Sequence, residues 1–358
     1  MPENVLIKEI EQVEHRCEKS IYFDPAITEY LIHLLGEKSV SDLVWDQQSN
    51  PSEISGEIRS KTGLVNVQKI NDIRRINKYL EAVNRKLEYG QHLVIAMETM
   101  ASRKKRLMNK FPALFNKGYY LLDFILKRVF PKWKPTRKLY FLLTNGRNRV
   151  ISLTEGLARL VCCGFEIVDF KKIGNLTYVI SKKVSEPSYD MQPSYGALIR
   201  LKRVGEGSKL MSVYKFRTMH PYSEYLQEYI FEKHNLREEG KFNNDFRMTS
   251  WGRLFRKYWI DELPMLINWF RGEIKLVGVR PLSRQFFELY PKELQEMRSK
   301  NKPGLVPPYY ADMPKGLQEI QESELNYLIA YERSPLLTDI RYFFRAIVNI
   351  CFKGARSR

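Results

Sequence analysis

Two adjacent carboxylates, Asp261 and Glu262, are the residues of this sequence best suited to carry chemistry. They open the run Asp-Glu-Leu-Pro, in which helix rules predict Asp261 as the N-cap, Pro264 in the first turn and Gly272 as the stop. The positive end of the helix dipole then favours the ionised form of both acids. A nucleophile or a ligand for a divalent ion must be ionised, so the pattern predicts one of these roles.

Basic residues follow predicted strands or lie in the helix predicted just before the acids. They are Lys215, Arg217, Arg253, Arg256, Lys257 and Arg280. An isolated Asp-Glu-Leu-Pro is more often a helix cap with an ion pair than a catalytic site. Arginine, however, binds phosphate oxygens through paired hydrogen bonds, and a carboxylate can hold the divalent ion that shields them. The surroundings therefore favour a diphosphate substrate.

Six motifs occur in order in the second half of the chain. They are KFRTM at 215–219, DxRxT at 245–249, GRxxR at 252–256, DELPxLxN at 261–268, Arg-Gly-Glu at 271–273 and LVGxRPL at 276–282. This string resembles the polyprenyl-phosphate phosphosugar transferases that initiate bacterial polysaccharide and glycoconjugate assembly. The resemblance covers residues 197–350.

The resemblance implies a two-step transfer of a sugar 1-phosphate from a UDP-sugar to a polyprenyl phosphate such as undecaprenyl phosphate. The residue matching Asp261 attacks the β-phosphate and expels UMP, and the residue matching Glu262 helps to hold Mg²⁺ as the metal ligand. Arg256 matches a catalytic arginine of the family, and Arg280 matches the arginine of its GPRP turn. The remaining basic residues are expected to contact phosphate: Lys215, Arg217 and Arg253.

Three features depart from the family pattern. The family has a membrane-inserted, proline-broken helix before the catalytic domain, where this chain has a polar linker and another domain. The family's PGxTGW is replaced by PGLVPP at 303–308, and its later Asp-x-x-Tyr by Glu-Leu-Asn-Tyr at 324–327. These differences concern membrane attachment and sugar specificity and leave Asp261 and Glu262 unchanged.

Charge and composition leave two further functions to weigh. With 59 Lys and Arg against 41 Asp and Glu, the net charge is +18, which suits polyanionic partners. The main alternative is a catalytically silent scaffold or membrane-surface protein of a polysaccharide assembly system, which has no need of adjacent acids among arginines. Nucleic acid is not an expected partner, because no helix-turn-helix, zinc-finger or stacked-aromatic signature occurs.

The predicted fold class is α/β, with a degenerate, non-catalytic methyltransferase-like domain followed by a compact α+β sugar-transferase domain. The predicted boundaries along the chain are 1–59 for an N-terminal segment of uncertain structure, 60–183 for the first domain, 184–196 for a linker and 197–358 for the catalytic domain. Helices are predicted at 70–85 and 154–163, a buried strand at 92–98, and a terminal hairpin around Gly174 and Asn175. No glycine-rich cofactor loop precedes these elements.

The sequence also predicts attachment to an anionic membrane surface without a spanning segment. No apolar run reaches the length of a membrane span, and the N-terminus lacks an export signal. The four cysteines have no metal-ligand spacing, which is typical of a reducing compartment. We therefore expect a peripheral or monotopic protein on the cytoplasmic face of the inner membrane. The pattern of residues 117–130 is typical of an interfacial membrane helix or of a core helix, and it favours the core helix. Residues 341–358 carry a similar stripe of apolar and basic side chains.

Overall fold

This computed structural model describes residues 25–47, 60–110, 112–189, 196–227, 229 and 246–353. The chain forms two compact units. Unit 1 holds residues 1–195 and 221–228, and unit 2 holds residues 196–220 and 229–358. Helices and strands occur in both units, so the chain is an α/β protein as the patterning predicts.

A five-stranded sheet lies at the centre of unit 1. Its strands are β1 (Val44–Asp46), β2 (Gly63–Asn66), β3 (His92–Met97), β4 (Phe165–Ile173) and β5 (Leu176–Lys183), in the order β1-β2-β3-β5-β4. The first three strands are parallel, and β5 runs antiparallel to both β3 and β4. The predicted buried strand and the predicted hairpin are both confirmed.

The described part of unit 1 has seven α-helices. They are α1 (Pro25–Leu35), α2 (Glu37–Ser41), α3 (Ile76–Lys86), α4 (Met100–Lys110), α5 (Ala113–Phe124), α6 (Lys134–Thr144) and α7 (Leu153–Cys162). The helix predicted at 154–163 is confirmed as α7, and Gly164 follows it with a φ of 86°. The helix predicted at 70–85 is broken, because Ile73 is extended between a 3₁₀ turn at Ile70–Asp72 and α3.

The segment 117–130 is not the core helix that the sequence favoured. It forms the end of α5 and a π-helical turn at Ile125–Val129. Its leucines Leu121 and Leu122 are exposed, whereas Asp123 faces inward and accepts hydrogen bonds from Arg103 at 2.7 Å. Polar residues, not apolar ones, thus fix this segment to unit 1. Within the described residues, no helix is long and apolar enough to cross a membrane.

Unit 2 begins with an antiparallel hairpin of β6 (Leu198–Val204) and β7 (Leu210–Phe216). The next elements are α8 (Ser250–Lys257), a 3₁₀ helix at Ile260–Met265, α9 (Leu266–Phe270), β8 (Lys275–Val277), α10 (Arg284–Glu288), α11 (Lys292–Ser299), β9 (Gly304–Val306), α12 (Tyr309–Asp312), α13 (Leu317–Arg333) and α14 (Pro335–Phe352). Strands β8 and β9 pair in parallel. A core of Val277, Tyr310, Tyr327 and Leu328 lies beside them. Helix α14 buries Tyr342 and Ala346 there and exposes Phe344 and Val348.

Candidate active site

The two carboxylates lie in the 3₁₀ helix that precedes α9. Its N-cap is Trp259, in the left-handed conformation with a φ of 53°, so the prediction that Asp261 is the N-cap was wrong. Pro264 is the fifth residue of this 3₁₀ helix and lies two residues before α9 begins, so it does not occupy a first turn as predicted. Gly272 ends α9 as predicted, with a φ of 69° and its N–H donating to the Trp269 carbonyl at 2.9 Å.

Asn268, the last residue of the DELPxLxN motif, fastens this helical segment to β7. Its fully buried side-chain amide donates to the Ser212 carbonyl at 2.7 Å and accepts from the Tyr214 N–H at 3.1 Å. It also donates to the carboxylate of Glu273, from the Arg-Gly-Glu motif. These bonds fix the register between the carboxylate segment and the strand that carries Lys215.

Lys215 and Glu262 form an ion pair within this frame. The Lys215 Nζ lies 2.6 Å from the Glu262 Oε1, and both side chains are largely buried. Burial lowers the pKa of Lys215, and Glu262 opposes that shift. The structure therefore brings together the lysine of KFRTM and the second acid of DELP.

Asp261 is 6% exposed, and its Oδ1 has no hydrogen-bond partner among the described residues. Burial and then the adjacent Glu262 raise its pKa above the ordinary value, while Lys215 and Arg256 act in the opposite direction. The sequence predicted that the helix dipole favours the ionised form of this acid; the cost of burying a carboxylate, which that prediction omitted, acts in the opposite direction. An unpartnered, desolvated carboxylate oxygen is more reactive than a solvated one.

Arg280 is held by a backbone contact between two glycines. A Cβ on Gly304 would lie 2.1 Å from the Gly278 nitrogen, and the Gly304 N–H donates to the Val279 carbonyl at 2.9 Å. The carbonyl of Arg280 accepts from Arg298 at 2.5 Å, and Arg298 also pairs with the buried Glu324. The glycines of LVGxRPL and of PGLVPP, and the Glu of the altered Asp-x-x-Tyr, thus position this arginine.

A cavity of about 280 Å³ is lined by several of these groups, but not by Asp261. Lys215, Glu262 and Arg280 line it together with Arg203 and Phe286. Sequence reasoning missed Arg203, whose pKa is lowered by burial and then by Arg280. The sequence signal that could have found Arg203 is the period of two along β6. Arg203 lies on the same, less exposed side of this strand as Ile199 and Leu201. Reasoning from sequence also missed Tyr309, whose ring lies 5.9 Å from the Arg280 guanidinium.

The other predicted residues have mixed placements. Arg256 donates to the Thr218 hydroxyl at 3.2 Å and lowers the pKa of Asp261, which sets it near the acids. Arg217 donates to the Gly196 carbonyl at 3.0 Å, and Arg253 is exposed on α8. Neither of these two lines the cavity. Asp245, which opens the DxRxT motif, lies outside the described residues.

Two motif residues have structural roles that their spacing alone does not reveal. Thr249 caps α8, accepting from the Gly252 N–H and donating to the Thr218 carbonyl, each at 2.9 Å. A Cβ on Gly252 would lie 2.0 Å from that same carbonyl. DxRxT and GRxxR therefore hold α8 against the end of KFRTM, where Arg256 reaches its partner.

The carboxylates fit a magnesium ion bound together with a substrate. Within the described residues there is no cluster of three or more His, Cys, Asp or Glu side chains that could hold a metal alone. Magnesium is commonly bound by one or two carboxylates plus substrate phosphates and waters, so a cage of protein ligands is unnecessary. Glu262, whose carboxylate lines the cavity, offers an oxygen of the kind that such an ion takes.

The second half of the chain is similar in sequence to known proteins. The model of the bacterial sugar transferase family matches residues 189–353. The sugar transferase EpsL of Bacillus subtilis, named as uncharacterized, is 34% identical over 158 residues, 44% of this chain and 64% of its own. The exopolysaccharide production protein ExoY of Rhizobium meliloti is 30% identical over 163 residues, 42% of this chain and 68% of its own.

A third relative has a more explicit name. The UDP-glucose:undecaprenyl-phosphate glucose-1-phosphate transferase of Caulobacter vibrioides is 34% identical over 117 residues, 31% of this chain and 38% of its own. This chain thus spans between 38% and 68% of the length of these three proteins. The matched residues include Asp261 and Glu262, Asn268 and the turn that carries Arg280. The chain belongs to the bacterial sugar transferase family.

Proposed function

We propose that this protein transfers a sugar 1-phosphate from a UDP-sugar to a polyprenyl phosphate, such as undecaprenyl phosphate, and releases UMP. The observation that carries the proposal is Asp261, a buried carboxylate with an unpartnered oxygen beside the Lys215–Glu262 pair. The name of the Caulobacter relative gives a UDP-sugar and undecaprenyl phosphate as that protein's substrates. The same reaction class fits the groups collected in unit 2.

The basic residues of the cavity bind the diphosphate. Arg203, Lys215 and Arg280 line the same space, with Glu262 as the acid among them. Arginine forks and the lysine ammonium neutralise phosphate oxygens that otherwise repel an incoming carboxylate. Glu262 would hold Mg²⁺ together with the diphosphate, and the ion would add further shielding of this negative charge.

Asp261 carries out the chemistry in two displacements. A carboxylate oxygen forms a bond to the β-phosphorus, the bond from that phosphorus to the bridging oxygen breaks, and UMP leaves with the electron pair. The phosphosugar is then held on Asp261 as an acyl phosphate. An oxygen of the lipid phosphate next attacks the same phosphorus and displaces the Asp261 carboxylate, which restores the enzyme.

Exposed apolar residues beside the acids support a lipid acceptor. Leu263 lies between the carboxylates and α9, and Ile267, Trp269 and Phe270 follow it, with Phe270 80% exposed. Apolar side chains at this position suit the hydrocarbon chain of a polyprenyl phosphate, whose headgroup must reach Asp261. This placement also supports peripheral attachment at the cytoplasmic face of the inner membrane, where a UDP-sugar is available.

The proposal gives unit 1 no part in the chemistry. Its sheet has three parallel strands and an antiparallel terminal hairpin, and this arrangement supports the interpretation of unit 1 as methyltransferase-like. We propose that it is a degenerate domain of that type, since no glycine-rich cofactor loop follows a first strand in the sequence.

The test is UMP release from a panel of UDP-sugars with Mg²⁺, with and without polyprenyl phosphate. We expect one donor to give a stoichiometric burst of UMP without acceptor and turnover with it. Intact-mass measurement after mixing with that donor alone should show a phosphosugar adduct that hydroxylamine removes and that Asp261→Asn lacks. No release from any donor supports a silent scaffold, and an adduct on the Asn variant moves the covalent role elsewhere.

A further inference from the structure

A second surface of this protein, in unit 1, has the composition of a membrane contact. Residues 101–150 contain fourteen of the lysines and arginines of the chain and a single acid, Asp123. Asp123 is paired with the buried Arg103 at 2.7 Å, so it does not offset the charge at the surface. Most of the net charge of +18 therefore resides in this stretch of fifty residues.

The same stretch exposes leucines to an unusual degree. Leu114 on α5 is 83% exposed, and Leu142 and Leu143 on α6 are 79% and 74% exposed. Phe115, Leu121, Leu122, Trp133 and Leu139 are more than half exposed as well. Large groups of exposed apolar side chains are rare on soluble proteins and usually mark an interaction surface.

Two cations between α5 and α6 face inward, toward the buried Glu155 of α7. Arg128 pairs with the buried Glu155, and Lys132 lies 2.6 Å from the same carboxylate. Arg159 of α7 adds a third cation at 2.9 Å. Burial would raise the pKa of Glu155, but these three cations hold it well below its ordinary value. The ion pairs attach the segment to unit 1 and leave its apolar side chains outside.

This inward cluster forms part of the wall of a cavity of about 350 Å³. The segment contributes four cations to this lining: Lys127, Lys132, Arg137 and Arg149. Arginines and lysines from elsewhere in unit 1 complete it, and its only acids are Glu81 and Glu155. Burial and then Arg128 lower the pKa of Lys132 well below its ordinary value, as expected where positive charge is in excess. An anionic phosphate would relieve that excess.

We propose that residues 101–150 bind an anionic membrane surface, with the exposed leucines of α5 and α6 among the acyl chains and a lipid headgroup phosphate in the basic cavity beside them. A lipid surface fits both the apolar and the cationic character of the segment. A second copy of this chain does not fit, because two such segments repel each other. This contact is a second membrane surface beside the one proposed around Phe270 and rests on the proposed function, yet its test needs neither donor nor catalysis.

The experiment is flotation of the full chain with vesicles of phosphatidylcholine alone or mixed with phosphatidylglycerol. We expect strong binding to the mixed vesicles and weaker binding to phosphatidylcholine. Leu142→Ser/Leu143→Ser should weaken binding to the mixed vesicles about tenfold or more, because two apolar anchors are lost. The matched control is Leu210→Ser/Leu289→Ser, at leucines 53% and 61% exposed in unit 2, and it should bind like wild type. Equal binding by the α6 variant and wild type would refute the apolar contact.

A second pair of variants separates the cavity from general charge. Lys127→Gln/Arg137→Gln should lower binding to the mixed vesicles about tenfold or more, and clearly further than Lys104→Gln/Lys105→Gln, which removes equal charge from the same segment. Equal losses would show diffuse attraction and overturn the headgroup site. Tight binding of inorganic phosphate in calorimetry, unchanged by vesicles, would overturn the lipid assignment in favour of a soluble ligand. Asp261→Asn should float like wild type, which keeps this result independent of catalysis.

Discussion

At the scale of single residues, burial of the Asp261 carboxylate lowers the free energy of unfolding, and the proposed catalytic role requires this carboxylate. Its pKa is raised, so the folded state binds a proton at this carboxyl more tightly than the unfolded chain does. Stability is therefore undiminished below the unfolded pKa and is reduced as the pH rises through the folded pKa. Such a cost persists where function requires the charge.

Asp261→Asn should abolish the phosphosugar adduct and turnover without lowering the free energy of unfolding at pH 7. Any gain in stability should appear above the ordinary carboxyl range and vanish as the pH falls toward the unfolded pKa of an aspartate, about 4. Urea denaturation at several pH values measures it. A stability loss at pH 7 that grows with rising pH would mean that the charge of Asp261 stabilises the fold.

The Lys215–Glu262 pair makes a different prediction for its two members. Glu262→Gln or Lys215→Met alone leaves a buried charge without its partner, and we expect a loss of about 3 kcal/mol in the free energy of unfolding. Turnover should fall in both, and in Glu262→Gln the dependence on Mg²⁺ should weaken.

The double variant Lys215→Met/Glu262→Gln is the control for that pair. It removes both charges, so it should recover most of the lost stability while staying inactive. Recovery of turnover with stability would assign the pair a structural role only. A wild-type rate in Glu262→Gln would remove this acid from the mechanism.

At the level of helices and strands, the site depends on how one short helical segment is joined to β7. Asn268 makes this joint through hydrogen bonds to Ser212, Tyr214 and Glu273. Asn268→Ala should lower the free energy of unfolding by about 3 kcal/mol, because buried partners lose their hydrogen bonds. It should also reduce turnover, because Lys215 and Glu262 no longer meet in register.

Asn84 in unit 1 is the matched control for Asn268. It is equally buried and donates to the carbonyls of Cys163 and Ser185 at 2.9 and 3.0 Å. Asn84→Ala should cost similar stability in urea denaturation, with turnover of the folded protein retained. If both variants lose turnover to the same degree at equal folded fraction, Asn268 does not act by positioning the site.

The sequence predicted the elements better than the details of their ends. Buried β3, the β4–β5 hairpin and α7 follow from local patterns, because apolar runs and turn residues are read within one segment. The position of Asp261 in a 3₁₀ helix could not be predicted, since it depends on Trp259 taking a left-handed conformation. The exposure of α5 was missed because periodicity shows which side of a helix is apolar, not what covers that side.

The sequence identified some residues of the candidate site and missed others. Motif order identified Asp261, Glu262, Lys215 and Arg280, and the structure gathers the last three around one cavity. Arg203 was missed because it belongs to no motif and enters the site only through the pairing of β6 with β7. Arg217 and Arg253 were expected at the phosphates from their charge, and only folding shows that they do not line the cavity.

Over the whole chain, the path of residues 221–228 matters beyond the site. This stretch lies within the family match, yet it belongs to unit 1, where Tyr222 and Leu226 are buried and Arg159 lies over the Tyr222 ring at 4.5 Å. A fragment of residues 196–358 would leave both apolar side chains without their cover. We expect that fragment to aggregate at 37 °C, with Tyr222→Ser/Leu226→Ser restoring solubility in light scattering. A soluble, monomeric wild-type fragment would show that this cover is dispensable.

Because residues 221–228 belong to unit 1, the N-terminal half of the chain cannot be exchanged independently of the C-terminal half. A fusion at residue 195 joins the units once, but the return at 221–228 joins them a second time. A recombination event that exchanged the N-terminal half would therefore also have to replace the eight-residue segment inside the transferase. Exchange of the N-terminal half alone would leave Tyr222 and Leu226 without the side chains that bury them in unit 1.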